Sequence, residues 1–177
     1  IEAYLAPRSM NDRDSQKDRK ASHLLLLAEN QTGYQNLLKI ATAAQLEGFY
    51  YYPRIDHDYL AAHAEGLICT TGCLAAEIPR ALVEGRPEDA GKWLDWYYDV
   101  FGKDRFFFEL QEHDIDELRQ LNKTLLEIGP RYNANFVATN SSGSSIPQPI
   151  ASHPRLWLTT NDLPRFRAWA SPTNTVY

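Results

Sequence analysis

The chain has too little positive charge to carry a duplex-DNA footprint: its 177 residues hold 18 Lys and Arg against 23 Asp and Glu, a formal net charge of −5 with a pI near 5.5. Phosphate binding over a wide surface needs clustered cations, so any nucleic-acid contact must be local. Long apolar runs are missing as well. No stretch approaches the roughly 18 residues of a membrane span, and the opening IEAYLAPRSMNDRD lacks a basic segment followed by an apolar one. Neither a membrane segment nor a secretory signal is expected, and the chain reads as cytoplasmic. Cysteine is scarce, with Cys69 and Cys73 alone in CTTGC. Two cysteines so spaced do not make a disulfide framework, and they read as one buried thiol and one site thiol. There is no internal repeat, and no HxH, HExxH or CxxC pair supplies a metal motif by spacing alone.

What is present is an alternation of short apolar runs and amphipathic stretches. IEAYLA reads as a strand ended by Pro7, and residues 8–20, almost wholly polar, read as a solvated loop without core. LLLLA at 24–28 has the continuous apolar pattern of a strand buried on both faces in a parallel sheet. Thr32 is placed to cap a helix whose apolar residues Leu37, Leu38, Ile40, Ala41, Ala44 and Leu46 recur near a 3.6 period, with Gly48 as its stop. Asp56 caps a short helix through HDYLAAHA, and LICTT at 67–71 is the next strand. Residues 73–85 form a helix in which Pro79 forces a kink or a late start. Pro87 opens another helix, with a stripe of Trp93, Leu94, Tyr97, Val100 and Phe101. RFFFELQ at 105–111, DIDELRQLNKTLLEIG and ANFVATN at 134–140 complete the series as strand, capped helix and strand. About five βα units in this order predict an α/β architecture with a parallel sheet, closed or open. Beyond Asn140 the composition changes to a Ser/Gly/Pro linker over 141–154 and a tail over 155–177 that does not continue the rhythm.

In such folds reacting groups gather where strands end. That rule selects Glu2, His23, Cys73, the stretch from Glu109 to His113, and Asn140. Carboxylate, imidazole and thiolate together suit zinc or a related divalent ion. Each also has a plainer reading: His23 as a strand-end hydrogen bonder, Cys73 as a small buried residue, Glu2 as an exposed carboxylate. Glu109 is harder to dismiss, because a carboxylate inside an aromatic strand needs a partner. The loop FYYYPRID offers Tyr50 and Arg54 as nucleic-acid contacts, with packing as the alternative.

The strings IEAYLAP, HLLLLAENQTGYQNLLKIATAAQLEGFYYYPRID, AEGLICTTGCLAAEIPRAL, DRFFFELQEH and NFVATN, in this order, resemble the N-terminal polymerase-and-histidinol-phosphatase (PHP) domain of the bacterial replicative DNA polymerase III alpha subunit. The resemblance covers residues 1–140. It implies part of a distorted βα barrel whose strand ends ring a cluster of divalent metal ions, zinc or manganese, and in metal-competent members a 3′–5′ exonuclease. It further implies that Glu2, His23 and Cys73 are direct metal ligands, with Glu109, His113, Tyr50 and Arg54 as supporting or nucleic-acid-contacting residues. The implied partners are DNA and the other replicative polymerase subunits. Two departures stand out. The family's opening HxH segment would precede residue 1, and Asn140 is followed by Ser141 and Ser142 where the family has an Asp-x-His pair. Tyr52 also stands where relatives commonly carry Lys. The tail is only weakly similar to the opening of some secreted polysaccharide-lyase-like proteins, and with the abrupt junction it reads as unrelated to the rest.

The expectation is therefore a PHP-domain fragment that does not hydrolyse phosphodiesters alone. The alternatives are a structural module supporting the polymerase core and a stand-alone PHP phosphoesterase. Exposed sheet edges and apolar faces also predict weak stability or self-association.

Overall fold

A computed structural model describes residues 1–111 and 115–139, which divide into two compact units, residues 1–107 and the remainder from Phe108. In the first unit β1 (Glu2–Leu5) pairs antiparallel with β2 (Ser22–Ala28) and parallel with β3 (Arg54–Ile55). On its other edge β2 pairs antiparallel with β4 (Leu67–Thr70), and β4 pairs parallel with the start of β5 (Phe106–Gln111). The sheet is thus mixed, where the sequence suggested parallel strands. The reason lies in β2: its residues alternate between buried and half-exposed, with Leu24 and Leu26 inside and Leu25 and Leu27 outside, as suits a strand with one face covered.

Helices follow the strands. The helix α1 (Gln31–Leu46) starts at Asn30, whose Oδ1 accepts a hydrogen bond from the Gly33 amide at 3.0 Å, so Asn30 takes the capping role expected of Thr32. Gly33, Leu37, Ile40, Ala43 and Ala44 face the core, whereas Leu38 and Leu46 are exposed. Asp56 caps α2 (His57–Ala62) as expected, accepting from the Tyr59 amide at 2.9 Å. The late start predicted by Pro79 is observed: α3 spans Glu77–Val83, placing the proline in the first turn, where its missing N–H leaves no helical bond unmade. The helix α4 (Pro87–Phe101) opens on Pro87 and buries Ala90, Leu94, Tyr97 and Phe101. Tyr97 stacks on Phe106 at 5.1 Å. Its buried hydroxyl donates to Glu77 Oε2 at 3.2 Å, and that oxygen also lies 3.0 Å from His57 Nε2. His57 in turn is stacked on Trp93.

The loop between β1 and β2 is exposed along most of its length, as its composition suggests, but it is not without a core of its own. Met10 and Asp18 are buried, and the loop is built around Arg54. The Arg54 guanidinium donates to four backbone carbonyls, those of Asp18 (2.8 Å), Asp12 (3.0 Å), Gly48 (3.2 Å) and Met10 (3.4 Å). Arg8 clamps the Asp18 carboxylate with two hydrogen bonds at 2.9 and 2.6 Å, and the Asp14 amide adds a third at 2.8 Å. Polar residues here make an internal network because the backbone of the loop has no ladder to satisfy it.

In the second unit, β5 continues through Phe108–Gln111 and β6 (Asn135–Thr139) lies beside it. The helix α5 (Asp116–Ile128) buries Leu118, Leu121, Leu125 and Leu126, and a 3₁₀ turn, Gly129–Tyr132, leads to β6. Phe108 packs edge-on against Phe136. Among the described residues no side chain caps α5, although its first turn is acidic. The expected linker and tail, with His113 and Asn140, lie outside the described residues.

Candidate functional site

The antiparallel register of β1 and β2 sets Tyr4 opposite His23 and Glu2 opposite Leu25. With a side-chain period of two, Glu2 and Tyr4 share a face, so both reach His23 from the neighbouring strand. Glu2 Oε1 lies 2.6 Å from His23 Nδ1, and the Tyr4 ring meets the imidazole edge-on at 5.1 Å. Cys73 arrives from the turn after β4, which Gly72 permits by adopting a φ of +73°. Its sulfur lies 3.5 Å from the same His23 nitrogen, and the His23 amide donates to the Ala75 carbonyl at 3.2 Å, tying strand to turn. Glu2, His23 and Cys73, selected as separate strand-end positions, are therefore brought together.

Their chemistry suits a divalent ion, but their arrangement does not enclose one. Glu2 and Cys73 both address a single nitrogen, and among the described residues no group of three or more His, Cys, Asp or Glu side chains is disposed to hold a metal. The described donors therefore do not fit a metal as they stand.

Glu109 belongs to the second unit. It is 3% exposed, and its carboxylate accepts from Thr139 Oγ1 at 2.5 Å and from Gln111 Nε2 at 3.0 Å, the partners that its burial demands. Arg54 is fully buried, so its charge is spent on loop carbonyls and is not presented to a ligand. Tyr50 packs beneath it, with the Arg54 guanidinium 5.2 Å from the ring centroid, and burial pushes the Tyr50 phenol up, helped by Tyr51. The surface of the aromatic loop is instead Phe49, Tyr51 and Tyr52. Tyr51 sits at φ +61°, a backbone conformation costly for a side chain of this size, and is exposed. Tyr52 stacks on Tyr4 at 4.9 Å.

Sequence reasoning missed the neighbours of the three-residue corner. An open cleft of about 580 Å³ runs beside His23, lined by Tyr4, Tyr52, Arg19, Lys20 and Arg80. The only signal for it was the basic end of a loop that looked merely solvated.

The family model for the PHP domain matches residues 1–113. The chain belongs to the PHP domain family. Its relatives include the DNA polymerase III subunit alpha of Treponema pallidum, 42% identical over 140 residues, and that of Thermus aquaticus, 46% identical over 141. The same subunit of Borreliella burgdorferi is 42% identical over 143 residues. These matches cover 78 to 80% of this chain but only 12% of each relative. Among the described residues no helix is long and apolar enough to cross a membrane.

Proposed function

We propose that this chain is the PHP portion of a bacterial replicative polymerase alpha subunit, that Glu2, His23 and Cys73 form one corner of a divalent-metal phosphoesterase centre, and that the chain alone does not hydrolyse phosphodiesters. The observation that carries the reading is the convergence of Glu2 and Cys73 on one nitrogen of His23, at 2.6 and 3.5 Å, which brings together residues of two strands and a turn. Three donor types that suit zinc meet where a strand-end site would lie. Tight metal binding needs further ligands in good geometry, and the described residues supply no such set. In the whole protein such a corner would act with DNA and the polymerase body, in the cytoplasm.

The test is an equilibrium zinc titration of the 177-residue chain against a chromophoric chelator, alongside an exonuclease assay with a labelled oligonucleotide. The expected result is zinc binding weaker than micromolar, weakened further by Cys73→Ala, and no hydrolysis. Stoichiometric sub-micromolar binding, together with hydrolysis abolished by Cys73→Ala, would overturn the inactive-fragment reading. Zinc binding of any strength that Cys73→Ala leaves unchanged would overturn the corner.

A further inference from the structure

We infer that the outward face of α1 is a dimerisation surface, on which two copies of this chain pair antiparallel about a two-fold axis at Thr42. The inference does not depend on the Glu2, His23 and Cys73 corner, and it gives a place to the self-association that exposed faces predict.

Composition is the first ground. One residue of the 16 in α1, Lys39, is charged, whereas α4 carries five in 15 and α5 five in 13. A helix with one face in water normally carries its charge there, and one without such a face belongs in a buried setting. The core already covers the inner face of α1 through Gly33, Leu37, Ile40, Ala43 and Ala44, so what remains to be covered is the outer one. There Tyr34, Leu38 and Leu46 are 52, 52 and 79% exposed, and Phe49, just beyond the helix, is 52% exposed. Of the nine large apolar residues exposed among the described residues, six lie between positions 34 and 52, which makes a patch rather than a scatter.

The second ground is spacing, which selects a second copy as the occupant. Tyr34, Leu38, Thr42 and Leu46 follow at intervals of four and form one exposed ridge along the helix. Turned end for end about Thr42, this ridge matches itself. Leu38 opposes the copy's Leu46, Thr42 opposes the copy's Thr42, and Tyr34 comes towards the copy's Phe49, each contact being made twice as two-fold symmetry requires. The middle of the ridge suits close approach: Thr42 donates its hydroxyl to the Leu38 carbonyl of its own helix at 2.7 Å, so its one polar group needs nothing from a partner, and the neighbouring Ala41 is small. Charge favours the same pairing. The Lys39 ammonium rests on a neutral group, Asn36 Oδ1 at 3.4 Å, and antiparallel packing brings it within two residues of the copy's Glu47. A parallel pair would instead set Lys39 on Lys39 and Glu47 on Glu47. A membrane surface would call for cations along the flank of the helix, and α1 has one.

The test is sedimentation equilibrium of the full chain under reducing conditions, over about 1–300 μM, the range that suits a small interface. The expected result is a reversible rise in mass from 20.2 kDa towards twice that value, with no growth beyond it. Leu38→Glu and Leu46→Glu, at positions already in water, should each weaken association about tenfold or more with an unchanged circular dichroism spectrum. Thr42→Glu, which sets two carboxylates on the axis, should do at least as much. Lys39→Glu should weaken association about threefold, and adding Glu47→Lys should restore it. That rescue cannot arise within one helix, where residues eight apart do not meet. With paired helices about 8–10 Å apart, the two Thr42 Cα atoms lie roughly 4–6 Å from each other, so Thr42→Cys should cross-link to its own copy on oxidation with diamide. Gln35→Cys, placed far from its own copy, should not. A mass of 20.2 kDa at every concentration, association that Leu38→Glu and Thr42→Glu both leave intact, or growth past the dimer would overturn the inference. The first of these would leave the stripe to the surface of another protein.

Discussion

Replacing Arg54 should destabilise the protein more than any other single change in the first unit's loops. The side chain is 0% exposed and donates to four carbonyls, two of them at 2.8 and 3.0 Å and two at 3.2 and 3.4 Å. Burial lowers its pKa and the nearby Asp18 raises it, but a guanidinium stays charged in either case. Hydrogen bonds from a charged donor contribute about 1.5–3 kcal/mol each, so the two shorter ones alone amount to roughly 3–6 kcal/mol. Water entering the space left by a shorter side chain re-satisfies part of this, leaving about 3–4 kcal/mol. At a urea slope near 2 kcal/mol/M, Arg54→Ala should lower the unfolding midpoint by about 1.5–2 M. Arg54→Met keeps much of the stem volume but no donors and should fall within about 1 kcal/mol of alanine, which separates hydrogen bonding from cavity formation. Tryptic cleavage at Arg13, Lys17, Arg19 and Lys20 should accelerate in both variants, because the carbonyls released lie in that loop. A loss below about 1 kcal/mol in both variants would refute the view that Arg54 organises the loop.

Three further outcomes follow from particular contacts. A Cβ on Gly33 would stand 1.8 Å from the Gly66 carbonyl oxygen, a backbone atom that cannot swing away, so Gly33→Ala should cost about 2–3 kcal/mol in thermal or urea unfolding. The hydrogen bonds from Arg8 hold the Asp18 carboxyl below the usual carboxylate range. A depressed folded-state pKa stabilises above the unfolded value of about 4 and is lost as pH falls through the folded one. Urea midpoints measured from neutral to acid should therefore drop less steeply in Asp18→Asn, from an already lower start, and an unchanged acid limb would count against the clamp. Glu77 serves His57 and Tyr97 at once, so Glu77→Ala should cost about 2 kcal/mol and shift the tryptophan emission, since Trp93 and Trp96 pack on His57.

Much of the framework was legible because its signals are local. Asp56 caps the helix that it precedes, Pro79 delays its helix to Glu77, and the aromatic run Phe106–Phe108 forms a strand, each through neighbours within a few residues. Asn30 displaced Thr32 as a cap because both residue types suit the role and only the approach of Gly66 to Gly33 fixes where α1 begins. Four consecutive leucines looked doubly buried because hydropathy does not record strand direction, and β2 runs antiparallel to both neighbours. The loop before β2 is solvated along most of its length as expected, but its buried anchor was not legible, for a different reason. Its polar residues are organised by Arg54, 36 positions from the Asp18 carbonyl that it holds, and composition carries no trace of so distant a donor. The corner was legible only as separate strand ends: 50 positions separate His23 from Cys73, and their contact depends on the Ala75 carbonyl receiving the His23 amide.

Arg54 also bears on the exposed face of α1, although it is itself fully buried. It holds the Gly48 carbonyl, which lies in sequence between Glu47 and Phe49, at the end of α1 where the copy's Lys39 and Tyr34 would arrive. One side chain thus fixes that end of the surface, and two-fold symmetry makes a dimer use that end twice. A surface held in this way needs little ordering on association, and releasing it adds an entropic cost to the affinity. Under conditions where Arg54→Met remains folded, dimer formation should weaken about three- to tenfold, a loss of roughly 0.7–1.4 kcal/mol. The cost of Phe49→Ala should shrink in that background, because a ring whose position is no longer fixed contributes less. In a double-mutant cycle the two changes should couple by at least about 0.5 kcal/mol. Strict additivity would mean that Arg54 stabilises the loop without positioning the surface, and the link between the buried network and the dimer face would fail.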